Sequence, residues 1–290
     1  MLAVTLLAFG LMYMSGDPVA LLLPVGATPQ EAQLIRHELG LDRPFYVQFA
    51  LFLADLFRGD LGTSIRHGQP ALPLVVERLP ATITLTLVTL ALALACAIPM
   101  GLYSALFKGR PLDAGCTMIS LVGQCVPLFW LGIELINLFA VRLHLLPAAG
   151  WGSPAHLVLP VVALGAYVAA LFTRLLRSSV LEILTQDYVR TARAKGLSGR
   201  IVLYKHVLRN SLIPLVNMIG VQTGVLMSGA IITEQVFGIP GMGRLALEAV
   251  ANRDFPTVRA FVMVTGLLVA VVNLTVDLTC SLLDPRIRRR

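Results

Sequence analysis

The sequence predicts an all-α integral membrane protein with six transmembrane helices. Three observations lead there. First, the chain of 290 residues is 57% hydrophobic and only 13% charged, with a mean hydropathy of +0.80. Soluble domains carry roughly 25% charged residues. Second, the apolar residues gather into long runs that lack Asp, Glu, Lys and Arg: 79–107, 114–133, 143–173 and 210–233, with 260–283 interrupted only by Asp277. A helix needs roughly 20 apolar residues to cross a hydrocarbon core. Strands of a membrane barrel would alternate polar and apolar residues, which these runs do not. Third, the segments between runs fall into two sets of different charge. Lys108–Asp113, Arg174–Arg209 and the tail after Leu283 hold 14 Lys/Arg against 4 acids. Ser15–Arg78, the connection around Arg142 and Glu234–Arg259 hold 9 against 10. Excess cations mark the cytoplasmic side, so both termini are expected inside. The pI of 9.6 follows from this asymmetry and requires no nucleic-acid partner.

Taken in order, Met1–Gly16 is charge-free but short, and no basic residue precedes it. It lacks the positive start and small-residue cleavage site of a signal peptide. It is expected to be the first transmembrane helix, with its beginning upstream of this methionine. Residues 17–78 form an external segment. Within it, Pro29–Leu39 has apolar spacing at Ala32, Ile35 and Leu39 between Thr28 and Gly40, and reads as a capped helix. Pro44–Phe57 carries a second amphipathic pattern, and Gly59–Gly62 turns the chain back. Residues 79–283 supply five helices and a loop at 174–209, and residues 284–290 form a basic cytoplasmic tail.

The 174–209 loop is more than a run of cations. Leu176–Leu184 continues the fourth span as an amphipathic helix. Asp187 is placed to cap a short helix over Tyr188–Lys195, which Gly196 ends. Ser198 offers the cap of a second helix, Arg200–Arg209. Alanines at 192 and 194 would make the elbow slim enough to enter a partner's cleft, with Arg190, Arg193 and Lys195 supplying electrostatic steering. The positive-inside rule alone explains the sign of these charges but not the capped elbow.

Polar residues within the spans are few. Asn273 and Asp277 share a face of the sixth helix and are expected to pin a helix contact or pair with a cytoplasmic cation. Glu134 and Asn137 fall in the third span, where Glu134 is expected to hold helices together. Asn217, Gln222 and Thr223 give the fifth helix a polar character that suits a pore lining. The four cysteines (96, 116, 125, 280) lie in apolar runs without CxxC spacing and are expected to be buried, inert thiols. The five histidines show no metal-ligand spacing, so no metal site is expected. A phosphate-binding loop needs glycine before its lysine. The three lysines, 108, 195 and 205, follow Phe107, Ala194 and Tyr204, so the chain is not expected to hydrolyse ATP.

The segment Asp187-Tyr-Val-Arg-Thr-Ala-Arg-Ala-Lys-Gly196, followed by His206-Val-Leu-Arg-Asn-Ser-Leu-Ile-Pro214, resembles the cytoplasmic loop of binding-protein-dependent ABC importer permeases. The branch it most resembles is the first permease of the dipeptide, oligopeptide, glutathione and nickel systems. Ser15-Gly-Asp-Pro18, Leu39-Gly-Leu-Asp42, Gly59-Asp-Leu-Gly-Thr-Ser64, Gly241-Met-Gly-Arg244, Val272–Asp277 and Asp284–Arg288 agree in order, so the resemblance covers almost the whole chain. It departs where the general importer loop begins Glu-Ala-Ala; here Arg190-Thr191-Ala192 stands. The resemblance implies a type I importer fold in a bacterial inner membrane. It implies a pore shared with a second homologous permease, an external solute-binding protein, and two cytoplasmic ATPase subunits that hold the ATP and Mg; this chain would bind no cofactor. It also implies that Asp187, Tyr188, Arg190, Thr191, Ala192, Arg193, Ala194, Lys195 and Gly196 transmit ATPase closure to the helices. A nickel or metal-chelate importer is the alternative within the class. A stand-alone secondary carrier is the alternative outside it, but no internal repeat is evident and the elbow would have no job.

Overall fold

The computed structural model describes Gln30, Gln33, His37, residues 42–57 and residues 59–283. The expected first transmembrane helix, most of the Pro29–Leu39 helix and the basic tail lie outside the described residues. Within them the chain is helical: α1 Phe45–Phe57, α2 Ala71–Leu106, α3 Pro111–Cys125, α4 Leu128–Leu135, α5 Ala155–Leu184, α6 Asp187–Ala194, α7 Gly199–Ile201, α8 Arg209–Gly229, α9 Ile231–Val236, α10 Met242–Ala251 and α11 Phe255–Leu283. Two π-helical stretches, Ile136–Arg142 and Val202–Leu208, extend α4 and join α7 to α8.

Four helices are long and apolar enough to span a bilayer: Ala71–Leu106, Ala155–Leu184, Gly199–Met227 and Phe255–Ser281. A fifth span would combine Pro111–Cys125 with Leu128–Arg142, which meet at an angle of 99°. The sequence reads the 114–133 run as a single span, and the structure breaks it into two helices. Pro127 has no amide hydrogen, and its ring disfavours helical backbone in the residue before it. Val126 accordingly sits at φ −75°, ψ 124°, and the helix restarts at Leu128. The apolar run 114–133 conceals this break because a change of direction leaves hydropathy unchanged.

The described residues divide into two compact units, one drawn from the chain up to Thr82 and from Pro240–Leu268, the other from Ile83–Ile239 and from Val269 onward. In the first unit, Leu61, Ala71, Leu74, Val75, Met242, Leu245 and Ala260 form the core. The Gly59–Ser64 motif becomes a tight knot at its edge. Gly59 and Gly62 take φ of 75° and 85°, and Asp60 Oδ1 accepts the Gly62 N–H at 2.9 Å. Ser64 then donates to Asp254 Oδ2 at 2.5 Å. Asp254 is 1% exposed and also accepts the Ile65 N–H at 3.1 Å and the Thr257 hydroxyl at 2.9 Å. A buried carboxylate is tolerated here because three donors replace its water. Nearer the start of the described chain, His37 Nδ1 lies 2.8 Å from Asp42, and this hydrogen bond holds the Asp42 carboxyl below its ordinary value.

In the second unit α5 packs against α3, α4 and α8. At 30 residues it is roughly 45 Å long, more than a bilayer core requires, so it carries the next segment beyond the apolar layer. Close approaches set the packing. A Cβ on Gly123 would meet the Ala166 carbonyl at 3.0 Å, and one on Gly220 would meet Val276 at 2.5 Å.

Three further expectations change. Only Cys280 is buried; Cys96 and Cys125 are exposed and Cys116 is intermediate, because a span surrounded by lipid has an apolar outer face as well as an inner one. Glu134 is exposed on α4 rather than packed between helices. Asn273 and Asp277 are exposed on α11, with no ion pair to Asp277 among the described residues.

Candidate functional site

The 187–196 elbow has two faces. Helix α6 runs from Asp187 to Ala194. Asp187 is its first residue rather than its cap. Gln186, at φ −70° and ψ 146°, occupies the cap position, and its side chain makes no capping bond. The Asp187 carboxylate still complements the positive end of the helix. Arg190 lies 3.8 Å from it in full exposure, a pair that water screens. The C-terminal end follows the sequence more closely. Gly196 donates to the Arg193 carbonyl at 2.9 Å and Leu197 to the Ala192 carbonyl at 3.4 Å, with Gly196 at φ +77°. This is a Schellman ending, whose left-handed position favours glycine. Ser198 occupies the next cap position by its backbone alone, and its side chain makes no capping bond.

The inner face fixes the elbow to the rest of the unit. Val189 is fully buried and Ala192 is 6% exposed; they join Leu102 and Ala105 of α2, Leu176 and Val180 of α5, and Val202 and Val207 in one core. Ala192 therefore turns toward its own chain rather than outward, a correction to the reading of both alanines as a knob. Asp187, Tyr188, Arg190, Thr191, Arg193, Ala194, Lys195 and Gly196 form the exposed face. Thr191 directs its hydroxyl back to the Asp187 carbonyl at 2.9 Å. No heavy atom lies within 4 Å of the position a Gly196 Cβ would take, so only the backbone demands glycine there.

Behind this core stands an ion pair that no sequence pattern revealed. Arg177, one residue after Leu176, donates from Nε to Asp113 Oδ1 at 2.8 Å and from Nη2 to Asp113 Oδ2 at 2.9 Å. Ser104 donates to the same carboxylate at 2.5 Å, and the Gly109 N–H does so at 2.9 Å. Three helices, α2, α3 and α5, are thereby tied beside the elbow's core. Charge-assisted fork geometry is the strong form of this contact. Its one sequence signal is an acid at the start of a helix in an otherwise basic connection.

The three polar residues of the fifth predicted span divide. Gln222 and Thr223 are 7% and 9% exposed, and Thr223 donates to the Ile219 carbonyl at 2.7 Å. Asn217 is exposed and accepts from Cys280 Sγ at 2.9 Å. The structure does not gather them on one open face.

Comparison with known proteins gives this geometry a family. Residues 97–289 match the model of the binding-protein-dependent transport system inner membrane component, and residues 1–86 match that family's N-terminal model. The chain belongs to this family of permeases. The match takes in the elbow, the Arg177–Asp113 pair and the broken α3–α4 segment. Among relatives of this permease, the dipeptide transport system permease protein DppB of Alkalihalophilus pseudofirmus is 36% identical over 317 residues, covering 99% of this chain and 95% of the relative. The protein of the same description from Escherichia coli (strain K12) is 35% identical over 322 residues, covering 100% and 95%. The MetNI methionine ABC transporter, solved in inward-facing conformations, shares the permease fold with a TM-score of 0.61 at 19% identity, over 73% of this chain and 96% of the solved one.

Proposed function

We infer that this chain is the pore-forming permease subunit of an ATP-driven importer that carries peptides across the inner membrane. The observation that carries the substrate class is the near full-length similarity to dipeptide permeases from two organisms. Peptides reach the pore from an external binding protein, and a second homologous permease completes it. Helix α11 supports a shared pore: only 6% of its most apolar stretch is buried within its own chain. Six spans, with Met1–Gly16 as the first and both termini in the cytoplasm, complete the topology that the charge asymmetry supports.

Two cytoplasmic ATPase subunits hold the ATP and Mg. The exposed face of α6, with Arg190, Arg193 and Lys195 around the Gly196 turn, docks in an ATPase groove. Val189 and Ala192 anchor the opposite face in the core with α5 and the start of the fifth span. A docked helix fixed in this way passes ATPase closure to the membrane helices.

The test is to purify the complex containing this chain, reconstitute it with its binding protein and titrate peptides of graded length, then nickel. ATP hydrolysis stimulated by one length class of peptide is the expected result. Stimulation by nickel alone would replace the substrate. Failure of any ATPase to co-purify under gentle conditions would remove the docking role from the elbow.

A further inference from the structure

We propose that the cleft between Arg78 and Arg244 is a carboxylate site that takes the C-terminal carboxylate of a peptide in transit; this rests on the peptide reading above. The cleft encloses about 140 Å³ and is lined by Arg78, Pro240, Gly241, Arg244, Leu245 and Glu248, all in the first unit. Both of its segments belong to the set that the charge asymmetry assigns to the outer side, where a peptide enters.

The charges around the cleft are unequal. Arg244 Nε donates to Glu248 Oε1 at 3.0 Å, across one turn of α10. Glu248 is thus engaged by its own helix, and the second cation remains. Arg78 Nε is sealed from solvent and finds no acceptor among the described residues. A buried donor without an acceptor is costly, and an anion in the cleft would offset that cost. The planar guanidinium fork matches a carboxylate. Size narrows the choice further. The cleft has room for a few water molecules, enough for a carboxylate but not for a whole dipeptide. Every unmodified peptide has one such end group whatever its sequence, so the site would read peptides without reading side chains.

The frame is rigid. Leu74 and Val75 lie one turn before Arg78, and Met242 and Leu245 flank Arg244; all four share the core of the first unit. The Met242 N–H also donates to Thr82 Oγ1 at 2.9 Å. Both cations therefore approach the cleft from fixed backbone.

The experiment uses the assembled complex in nanodiscs without its binding protein. Saturation-transfer NMR follows alanyl-alanine and its C-terminal amide, each titrated against wild type, Arg78→Gln and Arg78→Lys. Wild type should bind the free acid at least tenfold more tightly than the amide. Arg78→Gln should erase that preference, and Arg78→Lys, which keeps the charge but not the fork, should restore part of it. With loaded binding protein at saturation in proteoliposomes, Arg78→Gln should lower peptide uptake several-fold. Equal binding of acid and amide by wild type overturns the proposal without any variant. So does an Arg78→Gln complex with unchanged acid preference whose ATPase no longer responds to the binding protein, because the cleft would then dock that protein. Wild-type complex that takes up no peptide at all refutes the importer reading itself, a separate outcome.

Discussion

Removing Arg177 should weaken the fold by an amount that its geometry bounds. Arg177→Met deletes the fork to Asp113 and leaves a carboxylate whose side chain is only 9% exposed. Deleting one partner of a fully buried pair costs roughly 3–5 kcal/mol. Two features lower that figure. The Arg177 side chain is 29% exposed and partly wetted, and Ser104 and Gly109 continue to donate to the carboxylate. We expect about 2 kcal/mol, a fall in melting temperature on the order of 5 °C for a chain of this size. Asp113→Asn removes the charge but keeps an acceptor for the Gly109 N–H, and should cost about 1–2 kcal/mol. The double variant buries no stranded ion, so its cost should fall short of the sum of the singles by about 1 kcal/mol or more. The assay is thermal unfolding of the purified complex for wild type, both singles and the double. Costs that add to within about 0.5 kcal/mol would refute the claim that the two side chains act as one clamp.

Three other outcomes follow from particular contacts. Gly196→Glu should leave membrane insertion intact, because nothing stands in the way of its Cβ, yet uncouple ATP hydrolysis from uptake; normal uptake in vesicles would remove Gly196 from the coupling segment. Gly220→Ala places a methyl group 2.5 Å from Val276 and should cost about 1–3 kcal/mol, read as a lower melting temperature; Val276→Ala in the same chain should recover most of it, and no recovery would mean the strain lies elsewhere. Asp254→Ala orphans the donors of Ser64, Ile65 and Thr257 and should cost about 2–4 kcal/mol, seen as faster proteolysis of the 59–70 segment in right-side-out vesicles, with Asp254→Asn milder.

What the sequence made legible was whatever depends on neighbours along the chain. The apolar runs located four described spans, because hydrocarbon thickness sets a length that composition alone can meet. The Gly196 turn was legible because a left-handed residue ending a helix favours glycine. The break at Val126-Pro127 was readable from proline chemistry, but the surrounding apolar run argued for one helix. Asp187 misled for a related reason: caps and first-turn residues favour the same acids, and one position separates them. The Arg177–Asp113 pair joins residues 64 apart, and each had already been counted toward loop charge. The cysteines show the limit of hydropathy, which records that a residue is apolar but not whether lipid or protein surrounds it.

The clamp and the elbow work through one body. Arg177 follows Leu176, and Leu176 and Val180 pack on Val189 and Ala192 inside a single core that also holds Leu102, Ala105, Val202 and Val207. Protein interiors are close-packed and yield little to compression, so a force on the exposed face of α6 cannot be absorbed by moving α6 alone. It must move α5 or the segment leading into α8, or break the core. The fork from Arg177 to Asp113 would resist the last of these, because it holds α5 to α2 and α3 beside the core on which α6 sits. Loosening the fork should therefore reduce peptide uptake per ATP hydrolysed more than it reduces hydrolysis. Arg177→Met reconstituted below its melting temperature tests this. A fall in uptake and hydrolysis by the same factor would make the clamp a support for the fold and nothing more.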